Sequence, residues 1–503
     1  MKKIVLTTLN ARYSHTSIAL RYLYANLDEL QNETVIEEFV INDTTTDIAE
    51  KILSHSPVIV GIGVYIWNAL EVSKLVNLLK KVSPGTIIIL GGPEVSHLPI
   101  RIDVDKADYI IQGEGDLAFG YLCNKILKGE RPTERIIHTE LPDINSLKFP
   151  YQYYTDHDIQ HRVIYVEASR GCPYKCEFCL SSLDKTVRNF DLDKLLNEFE
   201  NLWQRGARTF KFIDRTFNLN IKITQRILDF FLEKKENYFL HFEVIPDNFP
   251  EDLRERIKQF SPASLQLEIG IQTLNPRTAE NINRRMNFEK IKENLHFLET
   301  ETNAHLHVDL IVGLPGESIE SFGDNLDKLM SISSCEVQVG ILKKLSGTAI
   351  SRHDEIHGMV YSDLPPYDIL KNNLINFEQM QKMKRFARFW DLVYNRGNFN
   401  QSVRQLWQVG KVFEGFYEFS EWIYSQTLST WQISLERLAE LIFKYLTEVK
   451  SRDKVEIANI LAKDILKMRG RTLPPFISEI VTEVTEVKSG EISKANKRQL
   501  KHL

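Results

Sequence analysis

Short apolar runs alternate with amphipathic stretches twice along this chain, and that alternation is the strongest constraint on its fold. In the first stretch the strand-like runs are Ile4 to Leu9, Val35 to Ile41, Val58 to Ile66, Thr86 to Leu90 and Tyr109 to Gln112. The segments between them, such as Ser17 to Leu30 and Leu70 to Lys81, carry helical periodicity. Strand–helix alternation of this kind predicts a parallel sheet covered by helices on both faces. Residues 1–140 are therefore expected to form a doubly wound, Rossmann-like α/β domain. Residues 141–161, with Pro142, Pro150 and Tyr151, read as a linker.

The alternation then resumes. Strands are expected at Val163 to Glu167, Thr209 to Ile213, Tyr238 to Val244, Leu265 to Gly270, Leu306 to Val312 and Glu336 to Ile341. Six units cannot close an eight-stranded barrel, so residues 162–364 are expected to form an open, partial (β/α)6 barrel of TIM type. Chemistry on such barrels gathers at the carboxyl ends of the strands. From about Pro365 glycine becomes sparse and helical periodicity dominates, as in Ser434 to Tyr445, which predicts a helical C-terminal domain over residues 365–503. Its run from Lys382 to Trp390 interleaves basic and aromatic residues. Such a run can grip nucleic acid, but an amphipathic helix with buried aromatics and solvated charges is the simpler expectation.

The 503 residues exceed one ordinary core. A net charge of −5 leaves no global nucleic-acid footprint. The N-terminal apolar run is too short for a signal peptide, and no run is long enough to span a bilayer. Five cysteines argue against a disulfide framework, and a reduced, cytoplasmic setting fits.

Three of those cysteines carry the chemistry. Cys172, Cys176 and Cys179 lie in Arg170-Gly171-Cys172-Pro173-Tyr174-Lys175-Cys176-Glu177-Phe178-Cys179, directly after an apolar strand-like run. A structural zinc site wants four protein ligands, and no fourth cysteine lies nearby. A disulfide would leave one thiol over. Three thiolates on one loop suit a [4Fe–4S] cluster with one iron left open for a substrate or cofactor. Cys123 and Cys335 are too far apart in sequence to suggest a second cluster.

This loop resembles that of the radical S-adenosylmethionine (SAM) superfamily, including the aromatic Phe178 before the last cysteine. The resemblance implies that SAM chelates the open iron and is cleaved reductively to a 5′-deoxyadenosyl radical, in a low-oxygen setting. Glu268-Ile269-Gly270-Ile271-Gln272 and Asp309 to Glu317 resemble the family's fourth- and fifth-strand motifs. Carboxylates inside apolar strands need partners. With the resemblance, this implies a SAM pocket built from Phe178, Asp214, Glu243, Glu268, Gln272 and Asp309. Arg170 is expected to orient the cluster loop or screen its charge. No general acid or base can be assigned.

The loops after the N-terminal strands hold Asn10-Ala11-Arg12-Tyr13-Ser14-His15, Trp67-Asn68, Gly91-Gly92-Pro93-Glu94 and Gly113-Glu114-Gly115-Asp116. Ligands on open α/β sheets bind beyond these strand ends. A doubly wound domain followed by such a cluster loop resembles the cobalamin-binding radical SAM proteins. That resemblance implies cobalamin contacts from Asn10, Arg12, Tyr13, Ser14, Trp67, Asn68, Gly91, Gly92, Pro93, Glu94, Gly113, Glu114 and Gly115. The Asp-x-His-x-x-Gly signature that supplies an axial histidine in mutases is absent, so Trp67 is the candidate to cap the lower face.

The expected activity is radical methylation of an unactivated carbon. A non-methylating rearrangement or oxidation with the same cofactors, and a non-catalytic cluster or cobalamin sensor, are the alternatives. The expected partners are a low-potential electron donor, of flavodoxin or ferredoxin type, and a substrate the motifs do not encode. No membrane partner is expected, and nucleic acid has no recognisable module to support it.

Overall fold

A computed structural model describes residues 3–467 and 470–481. The N-terminal sheet has six parallel strands: β1 (Ile4–Asn10), β2 (Thr34–Val40), β3 (Ile59–Gly63), β4 (Ile87–Gly91), β5 (Tyr109–Gln112) and β6 (Ile136–His138). Their order is β2-β1-β3-β4-β5-β6. Five of the six were legible as apolar runs; the short, partly exposed β6 was not. Alternate residues feed two cores on opposite faces. Val5, Val60 and Ile88 pack with the helix Ala69–Val82, and Leu6, Ile59 and Ile89 pack with Leu20 and Phe119. Burial on both faces is why these strands read as continuous apolar runs.

The partial barrel begins with β7 (Ile164–Val166). A short hairpin, β8 (Ser169–Arg170) with β9 (Arg188–Asn189), carries the cysteine loop. The barrel continues through β10 (Thr209–Phe212), β11 (Phe239–Val244), β12 (Leu265–Gln272), β13 (His305–Val312) and β14 (Glu336–Ile341). All pairings among the six barrel strands are parallel, in the order β14-β13-β12-β11-β10-β7, so β7 and β14 are the open edges. On β12 the residues Leu265, Leu267, Ile269 and Ile271 are buried while Gln266, Glu268, Gly270 and Gln272 alternate with them. The second set faces the lumen.

Residues 141–161 are not a free linker. Tyr151 and Tyr154 are fully buried in the barrel core, and the helix Asp156–His161 is closed by a capping box from Thr155. Nor is the helical region a separate body. Met380, Met383, Phe386 and Trp390 on the helix Phe377–Trp390 belong to the same core as the barrel. Asn395 then pairs with the backbone of Val337 in both directions, accepting at 3.1 Å and donating at 2.9 Å. This satisfies the exposed edge of β14, which an open barrel must cover. The basic residues of the 382–396 run are paired: Arg385 with Glu421, Lys384 with Asp368, Arg388 with Asp391. The amphipathic-helix reading therefore holds for this run. Among the described residues no helix is long and apolar enough to cross a membrane.

Candidate functional site

Gly171 opens the cysteine loop at φ +91°, and a Cβ there would sit 1.8 Å from the Thr186 carbonyl oxygen. Only glycine allows the hairpin to close so tightly. The Cys172 amide donates to Asp184 O at 3.0 Å, and the Cys179 amide to Cys176 O at 3.2 Å. Glu177, almost fully buried, pins the loop from behind. Its amide donates to Ile282 O, its carbonyl accepts from Ile350 N, and its carboxylate meets His353 Nε2 at 2.9 Å. All five cysteines are free, and Cys172, Cys176 and Cys179 line one cavity of 170 Å³ at the carboxyl ends of the barrel strands. Cys123 and Cys335 are buried in cores away from it. Three converging thiols without a fourth fit a [4Fe–4S] cluster with one open coordination position.

The same cavity is lined by Phe178, Glu243, Glu268, Gln272 and Asp309, five of the six expected SAM contacts. Glu243 faces Arg215 Nη1 at 3.0 Å. Burial pushes Glu268 up, but His241, 2.8 Å away, together with Lys211 and His307, draws its carboxyl down to about 2. Asp309 behaves oppositely. Burial, then the negative charges of Glu268 and Glu243, push it well above the carboxylate range. Its Oδ1 and the Gln272 Oε1 are buried without a hydrogen-bond partner. Gln272 sits at φ +73°, beside an irregularity in the β12–β13 register. Orphaned polar atoms and a strained backbone facing a cavity are what a polar ligand such as SAM would satisfy.

Asp214 departs from expectation. It is buried outside this cavity, where its carboxylate accepts from the Ala168 amide at 2.9 Å and the Ser169 hydroxyl at 2.6 Å. Burial lifts its carboxyl to about 7, with those two donors opposing. It braces the root of the cysteine loop. Sequence reasoning missed Arg284, whose Nη1 lies 3.2 Å from Cys176 Sγ. Only the pair Arg284-Arg285, falling between two helices, hinted at it.

A second cavity, of 660 Å³, lies between the carboxyl edge of the N-terminal sheet and the hairpin. Gly91, Gly92, Pro93, Gly113, Glu114 and Gly115 line it, as expected. Its apolar floor reaches between the sheet and Leu20, Leu23 and Phe119. At Gly61 a Cβ would come within 2.7 Å of the Phe119 ring, and at Gly92 (φ +104°) within 2.6 Å of Val64 O. A slot kept open by glycines beside a polar rim fits the large, flat, tailed cobalamin molecule.

The other expected cobalamin contacts lie elsewhere. Asn10, Arg12, Tyr13 and Ser14 do not line the slot; their loop joins the sheet to the barrel. Asn10 donates to Glu38 at 3.1 Å, Tyr13 meets His157 at 3.0 Å, and Ser14 O accepts from Val163 N at 2.9 Å. Trp67 donates from Nε1 to Leu9 O at 3.1 Å and stacks on Tyr65 with centroids 4.5 Å apart. Tyr65, not Trp67, reaches the slot. Asn68 is fully buried, capping the turn by accepting from Tyr65 N at 2.8 Å. Glu94 turns away to the Tyr367 hydroxyl.

Arg170 ties the cysteine hairpin to the N-terminal sheet's loops. It contacts Glu167 at 2.9 Å, Asp116 at 2.9 Å and Glu114 at 2.9 Å, and lies 4.7 Å above the Tyr22 ring. The short turn Leu180–Leu183 separates the cavities. Leu180 and Leu183 face the larger cavity, and Ser181 and Ser182 face the thiol cavity.

Three family models match the chain. That of the radical SAM superfamily covers residues 166–329, that of the B12 binding domain covers 4–122, and one described as a protein of unknown function (DUF4080) covers 355–503. The chain is 23% identical to an uncharacterised methyltransferase of Pyrococcus horikoshii, over 74% of this chain and 86% of that one. It is also 23% identical to the cobalamin-dependent radical SAM methyltransferase TokK of Streptomyces tokunonensis, over 57% of this chain but only 47% of that one. Two solved structures share the fold. OxsB, a cobalamin-dependent SAM radical enzyme, has a TM-score of 0.63 at 13% identity, over 99% of this chain and 83% of its own. The methyltransferase TsrM of Kitasatospora setae has 0.57 at 17% identity, over 75% and 81%.

The six-stranded partial barrel, the three-thiol cavity and the family match over residues 166–329 together define a radical SAM enzyme. With a B12 binding domain matched over residues 4–122, the chain belongs to the cobalamin-binding radical SAM proteins. Its cofactors are a [4Fe–4S] cluster, SAM and cobalamin.

Proposed function

We propose that this enzyme methylates an unactivated carbon of a substrate bound between the two cavities. The observation that carries the reading is the turn 180–183, one wall shared by both, whose outer residues Leu180 and Leu183 face one cavity while Ser181 and Ser182 face the other. When bound, the cluster, SAM and cobalamin supply a hydrogen-abstracting radical and a transferable methyl group. The chain's own residues bind and orient. Cys172, Cys176 and Cys179 would hold the cluster; Phe178, Glu243, Glu268, Gln272 and Asp309 would hold SAM. Tyr65, Gly92, Pro93, Gly113 and Gly115 would bound the cobalamin. Glu177 and Asp214 keep the cysteine loop rigid, and Arg170 fixes its distance from the cobalamin domain. The enzyme draws electrons from a low-potential donor of flavodoxin or ferredoxin type.

The test is anaerobic. The reconstituted enzyme is given SAM and a strong reductant, and 5′-deoxyadenosine and S-adenosylhomocysteine are quantified. Both products appearing, and only with an intact triplet, supports methyl transfer. Deoxyadenosine alone, in the presence of a consumed substrate, would replace methylation by rearrangement or oxidation. Neither product from an intact, reducible cluster would favour a sensor.

A further inference from the structure

The loop of residues 342–369 holds two buried carboxylates, one beside a cluster ligand and one beside the glycine wall of the larger cavity. It leaves β14 and returns beside its own exit. The Ile369 amide donates to Leu342 O at 2.8 Å, and the Lys344 amide to Tyr367 O at 3.1 Å. Leu342 in turn donates to Val312 O at 3.0 Å, at the end of β13. Ile350 and Ile369, fully buried, pack the loop into the barrel core. Both ends of the loop are therefore anchored on the barrel.

Towards the cluster the loop holds Glu177, the residue after Cys176. The Ile350 amide donates to Glu177 O at 2.9 Å, His353 Nε2 meets the Glu177 carboxylate at 2.9 Å, and Arg352 pairs with the same group. Towards the larger cavity it holds the segment 94–101, which follows the Gly92-Pro93 wall. The Tyr367 hydroxyl donates to the buried Glu94, and the Ser346 hydroxyl to Pro99 O at 2.8 Å. Lys344 O accepts from Arg101 Nη1 at 2.7 Å, and the Arg101 guanidinium lies 4.7 Å above the Tyr367 ring. At Gly347 (φ +81°) a Cβ would come within 2.8 Å of His97, which lines the larger cavity. Inside the loop Lys344 pairs with Asp354, bracing the arm that meets Arg101 against the arm that meets Glu177. The N-terminal sheet holds the inner end of the same wall, through Gln112 Nε2 to Val95 O at 2.9 Å and the Gly113 amide to Ser96 Oγ at 3.3 Å. Burial pushes the Glu94 carboxyl up, and the Tyr367 hydroxyl and then Arg101 oppose it. A buried carboxylate that loses its donor is costly, so each of these contacts fixes where its partner sits.

We infer that Tyr367 and His353 are positioning residues that set the cobalamin wall at a fixed place relative to the cluster. The inference rests on the reading of the 660 Å³ cavity as the cobalamin site. Neither residue lines either cavity; Tyr367 acts through Glu94, and His353 through Glu177. Arg170 ties the cysteine hairpin to the loop after β5, whereas this loop reaches the segment after β4. Attachment at two separate points resists rotation of the N-terminal domain better than either alone. Radical methylation needs that rigidity, because a misplacement of about 1 Å costs about 10²-fold in rate.

The experiment reads the spacing directly. Holoenzyme reduced with dithionite and loaded with cob(II)alamin carries one unpaired electron on the cluster and one on cobalt. Their splitting in the frozen-solution electron paramagnetic resonance spectrum falls steeply with separation. Wild type is compared with Tyr367→Phe, which removes one hydroxyl, and with His353→Leu at the other end of the loop. The control is Ser402→Ala. Ser402 lines neither cavity and donates to the buried Asp464 at 2.6 Å, so its variant loses the same kind of bond away from the loop. Samples are matched for iron and cobalamin. We expect a split spectrum in wild type, the same splitting in Ser402→Ala, and a shifted, broadened one in both loop variants. Tyr367→Phe should also bind hydroxocobalamin about fivefold or more weakly, the size of a lost buried hydrogen bond. A wild-type splitting in either loop variant would overturn the inference, as would the same shift in Ser402→Ala. No splitting in a doubly loaded wild type would instead overturn the placing of cobalamin in this cavity.

Discussion

Arg170→Met tests the joint between the two cofactor cavities. The Arg170 side chain is 14% exposed and bridges Glu167, Asp116 and Glu114, whose side chains are 5%, 8% and 21% exposed. Glu114 keeps a second partner in Arg188, but Glu167 and Asp116 lose theirs. Removing one partner of a buried ion pair costs about 3–5 kcal/mol, because the remaining charge stays buried. The variant should melt at a clearly lower temperature and lose cobalamin on gel filtration, while still binding iron at the triplet. The deficit also depends on pH. Burial already pushes the Glu167 carboxyl above its ordinary range, with Arg170 the main opposing influence. Without Arg170 the folded state binds a proton there more readily still, so the deficit should be largest at pH 8 and shrink towards pH 5.5. Adding Glu167→Gln and Asp116→Asn removes the stranded charges and should restore more than half of the lost stability. An unchanged melting temperature and cobalamin affinity in Arg170→Met would refute this reasoning, as would failure of the neutral triple variant to recover.

Cys176→Ala should abolish the iron-based visible absorbance of the triplet site; a full cluster in that variant would sink its assignment. Gly92→Ala places a Cβ 2.6 Å from the Val64 carbonyl oxygen on a backbone at φ +104°. Equilibrium titration should show cobalamin affinity falling by about tenfold or more, given a cost of about 1–3 kcal/mol for overpacking, with iron loading unchanged. Asp309→Asn removes a carboxyl whose charged form burial already disfavours. The cofactor-free variant should melt no lower than wild type at pH 8, and any gain should vanish as pH falls and the wild-type carboxyl takes up its proton. SAM binding to the same variant should weaken when followed by fluorescence or calorimetry.

The strands and the thiol loop were legible because their signals are local. Continuous apolar runs mark strands buried on both faces, and alternation in 265–272 marks one that faces a lumen. The spacing of Cys172, Cys176 and Cys179 needs no partner elsewhere to be read. The glycine segments 91–92 and 113–115 were legible for the same reason, since close approach of a backbone demands glycine wherever the rest of the chain lies. What lay beyond the sequence were the joints. Glu94 is held by Tyr367, 273 residues away, and so turns from the slot its motif suggested. Asp214 is spent on the loop root, Trp67 on Leu9, and Arg284 arrives beside Cys176 from 108 residues downstream. Periodicity and spacing act over a few residues and survive translation into sequence. The direction in which a polar side chain points depends on which distant group satisfies it, and only the packed tertiary structure decides that.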